Sequence, residues 1–150
     1  MADLHKVGGR TQQAVIYKSE SHKLHQAFPV KSGDTIVQGQ PVKLNDDGTI
    51  SPYTGAAGDM YLGIAVNYSK YHAYPANAAG VEVTVMVEAF AIIYGIAKAE
   101  LTTTGYVKTD GTLDESGTYT NFQPSDANAE TKFIAINVAE VGDLIQILVK

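Results

Sequence analysis

Between Val81 and Glu88 valine takes every second position: Val81, Val83, Val85 and Val87 alternate with Glu82, Thr84, Met86 and Glu88. Successive side chains of an extended chain point to opposite faces, so this spacing gathers the valines on one side. β-Branched residues are stiff at χ1 and suit a pleated surface. The pattern predicts a half-buried antiparallel strand and draws the chain towards sheet architecture.

The rest of the sequence is cut into pieces of the same kind. Gln13–Tyr17, Thr35–Val37, Pro41–Leu44, Thr49–Ile50, Tyr61–Val66, Phe133–Val138 and Asp143–Val149 are short β-prone runs, and Ala91–Tyr94 is expected to continue the valine strand after a bend. Ser32-Gly33-Asp34, Gln38-Gly39-Gln40 and Asn45-Asp46-Asp47-Gly48 punctuate them. Asp47-Gly48 fits a hairpin turn, because glycine enters φ > 0 without steric penalty. With 14 glycines and 5 prolines in 150 residues, turns are frequent and elements short, which favours sheets. Ile96–Leu101 has helical propensity but is too short to stand alone. Residues 114–130 are rich in Ser, Gly, Asn and Asp and read as a loop with a short strand at Thr118–Phe122.

Three blocks recur in the same order. Pro41–Ile50 matches Tyr106–Leu113 with two residues fewer, Gly63–Asn67 matches Phe133–Asn137, and Gly80–Glu88 matches Gly142–Lys150 without a gap. Half-repeats are expected at about 33–94 and 102–150. Neither half could hide its apolar face alone, whereas two similar halves packed face to face or closed into a barrel share one core. The expected fold is all-β: a small antiparallel β-barrel or β-sandwich with an internal pseudo-repeat and an extended N-terminal arm. The arm, residues 1–27, is polar over 1–12 and of mixed charge over 18–26; residues 28–150 form a single β domain.

A net charge of −5 attracts no phosphate backbone, and Arg10 is the only arginine, so nucleic acid is not an expected partner. The chain has no cysteine, which excludes cysteine-ligated zinc or iron–sulfur and a disulfide framework. Met1–Arg10 is too polar for a signal peptide, and no apolar run approaches the roughly 20 residues of a spanning helix, so no membrane is expected either.

Candidate chemistry is sparse. His22 and His25 stand at i and i+3, with Glu20 and His5 as conceivable further metal ligands, but the segment reads as an exposed linker. Asp46, Asp47 and Asp59 could serve a hard cation, yet Asn45-Asp46-Asp47-Gly48 is also what a tight turn demands, and the alternating ligands of an EF-hand are missing. Glu88 and Glu100 have the residue types of a glycosidase pair, but nothing in the sequence sets them across a cleft. There is no Gly-x-Ser-x-Gly elbow, and no Gly-Lys-Ser/Thr follows Gly8-Gly9. No catalytic residue, metal or cofactor is assigned, and no enzyme activity is expected. Nine tyrosines and no tryptophan favour contact surfaces. Tyr68, Tyr71 and Tyr74 recur every three residues around His72, and these four residues are the candidate interaction surface, either capping a barrel or binding protein or glycan.

The glycine-spaced run Gly33-Asp34-Thr35-Ile36 … Gly39-Gln40-Pro41-Val42, then Asp47-Gly48-Thr49-Ile50, Gly63-Ile64-Ala65-Val66 and the Gly80–Glu88 strand, resembles the decoration (cement) proteins of tailed-phage capsids. The likeness covers roughly residues 28–150 and rests on pattern and order, without a catalytic signature. It implies a small β-barrel or sandwich, commonly trimeric, that sits outside the shell where major capsid subunits meet. The partners it implies are the major capsid protein and further copies of the same chain in a homotrimer. The location it implies is the capsid exterior of the virion, after synthesis in the host cytoplasm. Residues 68–79 and the long loop at 114–130 depart from the family pattern; either faces a partner, and a head fibre or host-surface glycan is the alternative ligand.

Overall fold

The computed structural model describes residues 16–19, 24–66, 82–88, 90–126 and 132–150. Among them there is no helix. They form β1 (Ile16–Ser19), β2 (His25–Pro29), β3 (Pro41–Leu44), β4 (Ile50–Pro52), β5 (Met60–Ala65), β6 (Glu82–Val87), β7 (Ala91–Ala97), β8 (Gly105–Lys108), β9 (Thr120–Pro124), β10 (Phe133–Ala135) and β11 (Leu144–Val149).

The strands close into two five-stranded barrels. In the first, the order is β2-β6-β5-β3-β4, all antiparallel, and Val30 beside β2 bridges in parallel to Ile50 of β4. In the second, β7-β11-β10-β8-β9 follows the same order, and β7 pairs in parallel with β9. The far edge of β7 is shared: β1 lies against Ala91–Ile93 and β9 against Gly95–Ala97. Closure removes open strand edges, which are otherwise templates for pairing with another chain.

The pseudo-repeat extends to individual registers. Pro41 faces Ile64 as Tyr106 faces Ile134. Gly63, Ile64 and Ala65 face Val87, Met86 and Val85 as Phe133, Ile134 and Ala135 face Val149, Leu148 and Ile147. Val42 opposes Pro52 as Val107 opposes Pro124. Loop bonds recur too: the Lys31 amide donates to the Ile50 carbonyl as Lys98 does to Phe122, and Val66 to Thr84 as Ile136 to Gln146. Even the Asp-Gly-Thr turns match. Asp47 Oδ1 accepts from the amide (3.0 Å) and hydroxyl (2.6 Å) of Thr49, and Asp110 Oδ1 accepts from the same groups of Thr112 at the same distances.

Three expectations change. Ala91–Tyr94 does not prolong the valine strand: β6 ends at Val87, Glu88 turns the chain at φ 50°, and β7 opens the second barrel. The repeat therefore runs from β2 to β6 and from β7 to β11, not over 33–94 and 102–150. Beyond the matching turns, Leu113 is not the counterpart of Ile50, because Leu113 makes only a bridge to Thr120 and β9 takes the place of β4 beyond an inserted loop. Ile96–Leu101, too short to stand alone as a helix, forms none, and Ile96 and Ala97 finish β7. Within the segment expected to be an arm, β1 pairs with β7, and β2 crosses the boundary between residues 27 and 28 to pair along β6.

Each barrel has its own interior, and the two are fused. Val30, Ile36, Val42, Ile50, Ala65, Val83 and Val85 fill the first. Ile93, Val107, Phe122, Phe133, Ala135, Ile145 and Ile147 fill the second. Tyr53, Ile64 and Met86 of the first barrel join the second cluster, with Tyr61 packed against it. Ile64 and Met86 face each other on the outer side of the first barrel, opposite to their inward neighbours Ala65 and Val85. This is why Met86, on the side of the valine strand expected to face solvent, is only 2% exposed. The rings of Tyr53 and Tyr61 lie 6.1 and 5.9 Å from that of Phe133, and Lys132 Nζ sits 5.8 and 5.7 Å above the two tyrosines. Each aromatic pair adds about 0.5–1.5 kcal/mol beyond area burial.

Candidate interaction surface

The tyrosine segment singled out in the sequence, Tyr68, Tyr71, His72 and Tyr74, lies outside the described residues. In chain order it falls between β5 and β6. The pseudo-repeat makes the β10–β11 connection, residues 136–143, its counterpart in the second barrel.

That counterpart is an apolar edge held by polar bonds. Ile136, Val138 and Val141 are 42, 57 and 66% exposed. Their backbone is pinned from several sides. The Ile136 amide donates to the Gln146 carbonyl at 3.0 Å, the Gln146 amide donates to Asn137 Oδ1 at 2.8 Å, and Leu101 and Ala139 exchange two backbone bonds. Gly142, at φ 89°, completes the turn and donates to the Ala97 carbonyl at 2.8 Å. Beside the edge lies an open cleft of about 510 Å³, bordered by Glu100, Thr102, Val138, Glu140 and Asp143. Apolar side chains held out on a fixed backbone bind without first being ordered, which lowers the entropy cost of association. Sequence reading missed these three residues because Phe133–Val138 looked like one strand. β10 in fact stops at Ala135, so Ile136 and Val138 leave the sheet. The available signal was two aliphatic residues, Ile136 and Val138, just ahead of a Glu140-Val141-Gly142-Asp143 turn that carries the third.

The carboxylates that looked available for chemistry are engaged in turns. Hydrogen bonds from the Thr49 side chain and backbone hold the Asp47 carboxyl below its ordinary range. At Asp59 burial pushes the pKa up, but bonds from Lys43 (2.9 Å) and from Thr54 outweigh it, and the net shift is downward. Asp110 follows the same logic: partial burial raises its pKa, while Lys98 at 2.5 Å and Thr112 lower it to about 2. Donated hydrogen bonds and a nearby cation favour the charged form. Of the imagined glycosidase pair, Glu88 terminates β6 and Glu100 borders the apolar edge of the second barrel. His25 begins β2 on an exposed position, and His22, Glu20 and His5 lie outside the described residues. Among the described residues no three His, Asp or Glu side chains converge on a metal-sized site, and no helix is long and apolar enough to cross a membrane.

Comparison of the chain with protein-family models and with curated proteins finds no match.

Proposed function

We propose that this chain is a structural virion protein that binds, as a homotrimer, to the outer surface of an assembled phage capsid and stabilises the contacts between its major capsid subunits. The observation that carries the reading is the pinned apolar edge of Ile136, Val138 and Val141 on a fused pair of closed barrels. A closed double barrel is a stiff body, and a stiff body bridging two subunits transmits its binding free energy to the lattice. A protein that binds only the assembled shell stabilises it by mass action, and linked copies add avidity. The resemblance of the glycine-spaced motifs to the pattern of capsid decoration proteins supports the same reading. The alternative of a head-fibre or glycan-binding module would rest on Tyr68, Tyr71 and Tyr74.

Co-sedimentation with purified, expanded capsids of the encoding phage tests the proposal. The chain pellets with shells at micromolar concentration, and Val138→Asp/Val141→Asp stays in the supernatant while retaining its melting temperature. Failure of the unaltered chain to pellet overturns the reading.

A further inference from the structure

We propose that copies of this chain join by repeating, between molecules, the contact that joins the two barrels within one. The inference rests on the self-association in the proposal above but not on capsid binding. Inside the chain the contact has two unlike surfaces. One is the outer face of the first barrel, where Pro41, Ile64 and Met86 form a continuous buried row. The other is the end of the second barrel marked by Ala91, Phe133 and Val149, reached by the rings of Tyr53 and Tyr61.

Because the fold is repeated, each surface has a counterpart, with Ser125 standing where the first barrel carries Tyr53. The outer row of the second barrel is Tyr106, Ile134 and Leu148, in the registers of Pro41, Ile64 and Met86. It is apolar like its counterpart but not covered: Tyr106 is 37% exposed, and Ile134 and Leu148 are half-buried. The matching end of the first barrel is marked by Leu24, Gly63 and Val87, and Met60, opposite Leu44, opens β5. Leu24 and Met60 are 63 and 61% exposed, among the most exposed large apolar side chains of the described residues. One molecule therefore ends in an unused outer row on its second barrel and an unused barrel end on its first. The occupant of each is the complementary surface of a second copy. The contact is heterologous, so repetition runs head to tail, and closure after three copies gives a ring of six similar barrels.

Two single substitutions in the full chain separate this arrangement from any symmetric dimer contact. Tyr106→Asp damages the outer row and leaves the barrel end; Leu24→Asp does the reverse. In sedimentation velocity the unaltered chain is a trimer, each variant alone is a monomer with an unchanged melting temperature, and the equimolar mixture forms a 1:1 dimer. It stops there because only one competent pair of surfaces remains. Leu148→Gln stands in for Tyr106→Asp if that variant is unfolded. A monomeric unaltered chain, variants that still form trimers, or a mixture that stays monomeric overturns the inference. Capsid pelleting of the monomeric variants reports separately on the functional proposal.

Discussion

Gly95 and Phe122 lie diagonally on the paired strands β7 and β9, so close that a Cβ on Gly95 would stand 2.6 Å from Phe122 Cδ2. In the first barrel the same two registers hold Phe28 and Ile50. The ring has moved to the other member of the pair, and its neighbour is Ile50 in the first barrel but a glycine in the second, so the space beside the ring is set locally in each barrel.

That proximity predicts strong coupling. Gly95→Ala alone costs about 1–3 kcal/mol by overpacking, and Phe122→Ile alone costs about 1–2 kcal/mol by leaving a cavity. In the Phe122→Ile background, Gly95→Ala is neutral or stabilising. Urea denaturation of the four proteins of this double-mutant cycle measures the term, and additive losses would contradict it.

Gly63 is a stricter requirement. A Cβ there would lie 1.9 Å from the Met86 carbonyl oxygen, which belongs to backbone and cannot swing aside. Its counterpart Phe133, facing Val149, carries a full ring, whereas the β3–β5 pairing beside Gly63 is bulged between Val42 and Lys43. Gly63→Ala is expected to cost about 3 kcal/mol or more, read as a lowered urea midpoint.

Acid should weaken the Lys98–Asp110 link. The folded pKa of Asp110 is lowered from 3.8 to about 2, so its contribution is complete above pH 3.8 and is lost as pH falls towards 2. Both side chains are more than a third exposed, at 44 and 41%. Screening by solvent leaves the contribution at about 0.5–1 kcal/mol. Asp110→Asn removes it, so the gap in stability between variant and unaltered chain, measured from pH 6 to pH 2, should narrow at the acid end. A gap that stays constant counts against this account.

Much of the fold was legible because strand alternation and turn chemistry are local. Val83 and Val85 point inward as their spacing requires, and the second and third blocks, with the Pro41–Lys43 part of the first, align at the registers that the sheets use. What was hidden is non-local. His25–Pro29 and Ala91–Ala97 are equivalent strands with almost no residues in common, so no comparison of sequence could set the repeat boundary between β6 and β7. The insertion ahead of β9 hid the match of Ile50 with Phe122 behind the better local match with Leu113. Met86 looked solvent-facing because a strand's second face is covered only when another barrel packs on it. For the surface, the tyrosines were conspicuous by composition, whereas Ile136, Val138 and Val141 become an edge only once β10 is seen to stop at Ala135.

The two barrels are hooped unequally. Where the first meets itself, a lone Val30–Ile50 bridge and the Lys31 amide hold the parallel seam; the second is laced over Gly95–Ala97 and Thr120–Phe122. Breathing should begin at the thinner seam, since local opening follows the fewest backbone bonds. The Lys31 amide is then expected to exchange with deuterium faster than the Lys98 amide at its equivalent position, and equal protection of the two would show that the seams open together.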